Sequence, residues 1–173
     1  LSLAGKEGIS ERGAYLFQNA LTPRIQMESL VNHCVREKHF RRFAILAPEN
    51  KFGEDMAVEF TTVANKLGGR VVGYEKYPPE AKDFQQAVQK LVGVSDPRDR
   101  KDSPKFDQYM KEQAQKSKRP SKARLPPIKD FDALFIPDGP KAVAQIAASL
   151  AYFDVTGVTL LGTSEWNNSQ LYK

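Results

Sequence analysis

Apolar residues recur along this chain in two alternating patterns, one typical of helices and the other of short buried strands. Spacings of three and four residues predict four amphipathic helices, each with one apolar face. Short apolar runs bounded by Pro or Gly predict four strands. The predicted helices start near Pro23, Gly53, Asp83 and Pro140, and the predicted strands span 42–47, 70–77, 132–136 and 158–162.

Strands that alternate with helices in this way predict an α/β fold. Crossovers between parallel strands are right-handed, so the helices cover both faces of one open parallel sheet. We expect the strand order 2-1-3-4 of a Rossmann-like or flavodoxin-like lobe. The strand order then reverses between the first and third strands, and the carboxyl ends of all strands meet at one edge.

The composition is that of an ordinary globular protein whose positive charge is concentrated in one segment. Of the 173 residues, 40% are hydrophobic, and the formal net charge is +5. Segment 93–129 holds eleven Lys or Arg against five Asp or Glu, a balance of +6 that leaves −1 for the rest. Five prolines also interrupt the alternating pattern there. We expect an exposed, partly mobile basic insertion, with one helical stretch near 105–116.

Membrane insertion and nucleic-acid binding receive little support from the sequence. No run reaches the roughly 18 consecutive apolar residues of a membrane helix, and the first residues, LSLA, lack the features of a secretory signal. We therefore expect the chain to begin inside a longer protein. Aromatic residues that could stack on bases accompany the basic segment only at Phe106 and Tyr109, so we do not expect a nucleic-acid partner.

Residues that could act in catalysis or bind a metal do not form a recognisable set. His33 and His39 have no Asp, Cys or His partner at ligand spacing, and Cys34 lies on an apolar helix face. Glu54 and Asp55 fall in the first turn of a predicted helix, where carboxylates suit the helix dipole. We predict no catalytic residue, no metal site and no cofactor, and we expect a binding protein rather than an enzyme.

The loops at the carboxyl ends of the strands are where a ligand is expected to bind. Loops 48–53, 137–140 and 163–167 combine aromatic, carboxylate, amide and hydroxyl groups, which suit a small polar molecule. The candidate ligand-binding residues in these loops are Asn50, Phe52, Asp138, Ser164, Glu165 and Trp166.

Three of these candidates also have a structural alternative. Asp138 has the position of a cap for the helix that begins near Pro140. The Phe52 ring is placed to seal the core beneath its loop, and Trp166 is placed to pack on a partner lobe. These alternatives stay open at the level of sequence.

Two long stretches of the chain carry a recognisable family pattern. The first contains YLFQN (15–19), LTP (21–23), Gln26 and RRFAILAPENKFGEDMA (41–57), and the second is FDALFIPDGPKAVAQIAASLAYFDVTGVTLLGT (131–163). Both resemble type I periplasmic binding proteins of the branched-chain amino-acid receptor kind. Within that superfamily, NALTP, FIPD, LAYFDV and GTSEWN are most similar to the penicillin-binding protein activator group of envelope lipoproteins.

This resemblance implies a two-lobe protein. Residues 1–20 correspond to the end of the first lobe and the crossover, and residues 21–173 to the second lobe with its basic insertion. In such receptors the loops after the first, third and fourth strands contact the ligand, which implies roles for Phe52, Asp138 and either Ser164 or Glu165.

Two functions follow from the resemblance and remain open. One is a solute receptor of an ABC importer, which binds an amino acid or a similar small molecule. The other is an envelope regulator of peptidoglycan synthesis, which contacts a cell-wall synthase. Both imply a periplasmic location or attachment to the outer membrane facing the periplasm, with a lipid anchor in the full-length protein and no membrane span in this chain.

Overall fold

The computed structural model describes residues 8, 10–15, 17, 20–94, 106–116 and 126–167. Within these residues, helices and strands alternate as the apolar pattern predicts. The helices are α1 (Pro23–Arg36), α2 (Lys51–Lys66), α3 (Gln85–Val92), α4 (Phe106–Lys116) and α5 (Pro140–Tyr152). The strands are β1 (Arg42–Pro48), β2 (Arg70–Tyr77), β3 (Ala133–Phe135) and β4 (Thr159–Leu161).

The four strands form one parallel sheet in the order β2-β1-β3-β4. This confirms the predicted α/β class and strand order. Strands β3 and β4 are each shorter than predicted by one residue at either end. The strand order reverses between β1 and β3, where Ala44 pairs with Leu134 and Ile45 with Phe135.

Alternate side chains of β1 serve two separate hydrophobic cores. Phe43 and Ile45 belong to the core that contains α1 and α2, whereas Leu46 belongs to the core that contains α3 and α5. On the first face, the Phe60 ring stacks on Phe135 with 4.5 Å between centroids. Burial on both faces explains why the central strands β1 and β3 read as continuous apolar runs rather than as alternating ones.

The first helix begins where the sequence predicts. Thr22 is its N-cap, with Oγ1 accepting the backbone N–H of Ile25 at 3.4 Å, and Pro23 is the first helical residue. Cys34 is buried on the inner face of α1. Burial raises the pKa of the Cys34 thiol, in keeping with a small core residue rather than a nucleophile.

The two ends of segment 93–129 are buried, which contradicts the expectation that the whole segment is exposed. Val94 and Ile128 are 7% and 3% exposed, and the N–H of Ile128 donates to the carbonyl of Val92 at 2.8 Å. Val94 thus belongs to the core that contains α3 and α5, and Ile128 is anchored to the last residue of α3. Helix α4 agrees with the stretch predicted near 105–116, and the expected mobility of 95–105 and 117–125 lies outside the described residues.

Among the described residues, no helix is both long enough and apolar enough to span a membrane. All four strands run parallel, so their carboxyl ends and the first turns of α2 and α5 lie along one edge of the sheet. Helix α1 leads into β1, and its first turn lies at the same edge. The loops along this edge hold the residues of interest.

Candidate ligand-binding site

Hydrogen bonds to both the side chain and the backbone of Asp138 hold it in place just after β3. The hydroxyl of Tyr77 donates to Oδ2 at 2.6 Å, and the backbone N–H of Gly139 donates to Oδ1 at 2.6 Å. The backbone carbonyl of Asp138 accepts the indole N–H of Trp166 at 3.0 Å. Asp138 nevertheless stays partly exposed. Asp138 is therefore fixed in position, and part of the residue remains accessible to solvent.

Tyr77 is a site residue that the sequence did not single out. It is the last residue of β2 and is 2% exposed, and its ring packs edge-on against Phe84 at 4.9 Å between centroids. Burial raises the pKa of Tyr77, and the hydrogen bond to the charged Asp138 raises it further. The hydroxyl therefore remains a donor at physiological pH. Its place at the carboxyl end of a predicted strand was the signal available.

Trp166 packs within this lobe. It closes a short 3-10 helix, Ser164–Trp166, and its ring contacts the core that contains α3 and α5. A Cβ on Gly162 would overlap the indole ring, so only glycine leaves room for the ring over the backbone. Trp166 is only partly buried, so the alternative that its exposed part packs on a partner lobe stays open.

The side chains of Ser164 and Glu165 are exposed above an anchored backbone. The N–H of Ser164 donates to Oε1 of Gln26 at 3.0 Å, and Nε2 of Gln26 donates to the carbonyl of Leu21 at 3.3 Å. Thr163 Oγ1 accepts the N–H of Glu165 at 3.4 Å. Gln26 therefore ties the β4 loop to the residues that precede α1.

Asn50 and Phe52 take different roles at the start of α2. Asn50 is the N-cap, and its Oδ1 accepts the N–H of Gly53 at 2.8 Å. Phe52 is 43% exposed, so the alternative that it seals the core is wrong. The ring of Phe52 is thus accessible at this edge. The amide oxygen of Asn50, in contrast, is occupied by its hydrogen bond to the helix.

A cavity of about 450 Å³ opens beside Asp138, between the loop after β2 and the first turns of α5. Gly139 is the N-cap of α5 and has no side chain of its own to cap the helix. The Asp138 carboxylate accepts the N–H of Gly139 at the start of α5, so the alternative that Asp138 helps to cap this helix stays open. The cavity lining includes Glu80, Lys82, Phe84, Asp138, Lys141 and Gln145.

Two carboxylates in the first turns of α2 have lysine partners. Glu54 Oε1 lies 2.6 Å from Nζ of Lys76, and Asp55 Oδ2 lies 3.0 Å from Nζ of Lys51. Within the described ranges, no cluster of three or more His, Cys, Asp or Glu could hold a metal ion. Both carboxylates at the start of α2 thus take part in surface ion pairs.

Comparison with known proteins decides the family. The family model described as "Periplasmic binding protein" matches residues 1–95, more than half of the chain. The chain belongs to the periplasmic binding protein family. Membership confirms the resemblance found in the sequence. A search of curated proteins returns no match.

Solved structures of other periplasmic binding proteins share this fold. A type 1 periplasmic binding protein from Bordetella pertussis Tohama I is 18% identical, with TM-score 0.55 over 84% of this chain and 29% of that one. A branched-chain amino acid ABC transporter ligand-binding protein from Burkholderia xenovorans LB400 is 13% identical, with TM-score 0.52 over 82% and 29%.

An ABC transporter substrate-binding protein from Desulfitobacterium hafniense, solved in complex with Leu, is 16% identical. Its TM-score is 0.54 over 93% of this chain and 38% of that one. This member of the periplasmic binding protein family thus spans about a third of the length of these three structures. At such identities the likeness establishes a common fold.

Proposed function

We propose that residues 21–173 form the second lobe of a receptor that binds a small polar molecule such as an amino acid. One observation carries this proposal: Asp138 is partly exposed at the strand-order reversal, where Tyr77 and Gly139 hold its carboxylate and Trp166 holds its backbone carbonyl. A fixed, partly exposed acidic residue beside a cavity is suited to recognising a ligand.

The residues along the edge divide the work of recognition. Asp138 and Glu165 offer carboxylates to a positively charged group, and Ser164 offers a hydroxyl. The exposed ring of Phe52 covers an apolar part of the ligand. Residues 1–20 then belong to the end of the first lobe and the crossover, and the two lobes close on the ligand by a hinge motion.

Family membership implies a periplasmic location and supports binding rather than catalysis. Delivery of the ligand to an ABC importer is the physiological role that fits this family. The alternative is an envelope regulator, held at the outer membrane by a lipid anchor, that contacts a cell-wall synthase. The two differ in one measurable respect, because only the receptor requires a cleft that binds a small molecule.

Thermal shift and calorimetry on the full-length protein test the proposal, with the L-amino acids and muropeptide fragments as probes. A probe at 100 times its dissociation constant adds about 2.7 kcal/mol to the free energy of unfolding. We expect an amino acid to do so, and Phe52→Ala with Glu165→Ala to abolish the effect. Tyr152→Ala is the matched control, since Tyr152 is an exposed aromatic residue at the far end of α5.

The opposite result separates the two functions. If none of the probes raises the stability of the full-length protein, the receptor proposal is wrong, and the search turns to protein partners. If a probe binds but the double variant binds it equally well, the ligand lies elsewhere and the assignment of these loops is wrong.

A further inference from the structure

The hydrogen bond between Tyr77 and Asp138 joins the ends of two strands that are not neighbours. Residues 61 positions apart meet at 2.6 Å, although β1 lies between β2 and β3 in the sheet. Tyr77 is 2% exposed, and a buried hydroxyl requires a hydrogen-bond partner. Asp138 is that partner. The position of Tyr77 at the end of β2 therefore fixes where Oδ2 of Asp138 lies.

The pattern of donors around Asp138 limits what else it can bind. An ionised carboxylate accepts hydrogen bonds and offers about four lone-pair sites. The Tyr77 hydroxyl occupies one site on Oδ2, and the Gly139 N–H occupies one site on Oδ1. The remaining sites accept donors from solvent or from a ligand, and a ligand carboxylate at this position would be repelled.

The cavity beside Asp138 has room for a small ligand and is lined by side chains of both charges. Phe84, which holds the Tyr77 ring edge-on, lines the cavity together with Asp138. Exposed Lys82 and Lys141 line it as well, as does Glu80. A molecule that carries both an ammonium group and a carboxylate therefore finds an opposite charge for each.

We propose that Tyr77 is a positioning residue that aims the Asp138 carboxylate at the ammonium group of a zwitterionic ligand and so sets its selectivity. This inference rests on the proposed function and concerns the part of the site at Asp138, whose cavity is lined by neither Phe52 nor Glu165. Tyr77 does not line the cavity, so it acts on the ligand only by positioning Asp138. Loss of its hydroxyl therefore weakens the preference for an ammonium group more than it weakens binding of the rest of the molecule.

Two probes that differ only in the ammonium group measure this preference. Calorimetry on the full-length protein compares L-leucine with 4-methylpentanoate, which has the same skeleton without the amine. We expect the parent protein to prefer L-leucine, Asp138→Asn to lose this preference, and Tyr77→Phe to reduce it by about tenfold, as for a lost charge-assisted hydrogen bond.

Tyr77→Phe is suited to this test because it removes the buried hydroxyl and keeps the ring that packs on Phe84. Phe84→Leu is the control for a purely structural effect, since it disturbs the same packing and leaves the hydroxyl in place. We expect Phe84→Leu to weaken binding of both probes by the same factor. Thermal unfolding of each variant verifies that it is folded.

Each other outcome overturns a defined part of the inference. If Tyr77→Phe keeps the parent preference, or weakens both probes equally, Tyr77 does not act through Asp138. If the parent binds both probes equally well, Asp138 does not select the ammonium group, and the proposed binding function still stands. If neither probe binds the parent, amino-acid recognition fails and the role of Tyr77 fails with it.

Discussion

Asp132 and Arg42 join the starts of the two central strands. Oδ2 of Asp132 accepts the backbone N–H of Arg42 at 2.8 Å, and it accepts that of Arg41 at the same distance. The guanidinium of Arg42 lies 3.5 Å from Oδ1. One carboxylate at the amino edge of the sheet thus sets the register of β1 against β3, opposite the edge that carries the site.

This arrangement makes the stability of the protein depend on pH. Burial raises the pKa of Asp132, but the N–H groups of Arg41 and Arg42 and the charge of Arg42 lower it by more, so the net pKa lies below its usual value. A lowered carboxyl pKa stabilises the fold above the unfolded-state pKa of about 3.9. That contribution is lost as the pH falls through the folded-state value.

We expect Asp132→Asn to reduce the free energy of unfolding at pH 7 by about 1–3 kcal/mol, because charge-assisted hydrogen bonds become neutral ones. Urea denaturation at pH 7 and pH 2.5 measures this, and the gap between parent and variant should narrow at the lower pH. Asp55→Asn removes only a surface ion pair and should cost less than about 0.5 kcal/mol. An equal gap at both pH values would contradict the assignment.

Gly53 is required by the close approach of α2 to the end of β1. A Cβ at this position would overlap the carbonyl oxygen of Pro48. We expect Gly53→Ala to lower the free energy of unfolding by roughly 1–3 kcal/mol through overpacking. Chemical denaturation measures this loss of stability. The substitution should also shift the neighbouring residue Phe52.

Gly139→Ala is the matched control for this prediction. Gly139 also lies in a loop at the carboxyl edge, with φ −75° and open space where a Cβ would be. We expect a change within about 0.5 kcal/mol, because a weaker cap is offset by a less flexible unfolded chain. Equal losses in the two variants would show that steric overlap at Pro48 is not the cause.

Asn50 is expected to contribute to stability as a helix cap. Asn50→Ala should lower the free energy of unfolding by about 1 kcal/mol, whereas Asn50→Asp keeps an oxygen that accepts the N–H of Gly53 and should retain it. Asn65→Ala, at an exposed position near the other end of α2, should cause no loss. An Asn50→Ala variant as stable as the parent would rule out the cap. Loss of ligand binding in Asn50→Asp would indicate that the Asn50 amide also contacts the ligand.

Gly162 makes room for the indole of Trp166, the single tryptophan of the chain. Gly162→Ala should displace the ring, break its hydrogen bond to the Asp138 carbonyl and shift the tryptophan emission to longer wavelength. It should also cost roughly 1–3 kcal/mol, as overpacking does. Fluorescence of the folded variant measures the shift, with Gly139→Ala as the unshifted control. Unchanged emission would mean that the ring does not depend on Gly162.

Much of the fold could be predicted because its signals are local. The apolar faces of α1, α2, α3 and α5 follow a period of 3.6 residues, and the buried strands are short apolar runs between Pro and Gly. The strand order was expected because it is the usual one for such a run of parallel strands. The buried boundaries at Val94 and Ile128 were missed because each is an isolated apolar residue next to a segment rich in prolines and charges. Their burial depends on contacts that only the folded structure shows.

The candidate site was predictable as a set of loops and less so as a set of side chains. Parallel strands bring their carboxyl ends to one edge, which selected the loop that contains Asp138 as a candidate. The same rule did not assign a role to Asn50, since an amide before a helix suits both a cap and a ligand. Tyr77 was missed because its hydroxyl gains a partner only when β2 and β3 are fixed in register.

The sequence by itself determined the alternation of helices and strands, the parallel sheet and the edge at which a ligand is expected, because these depend on spacings within a few residues. The tertiary structure decided which groups meet at that edge. Tyr77 reaches Asp138 across 61 residues and Trp166 reaches it across 28. Such contacts depend on strand length, register and helix packing together, and ångström-scale distances of this kind are set by the folded core.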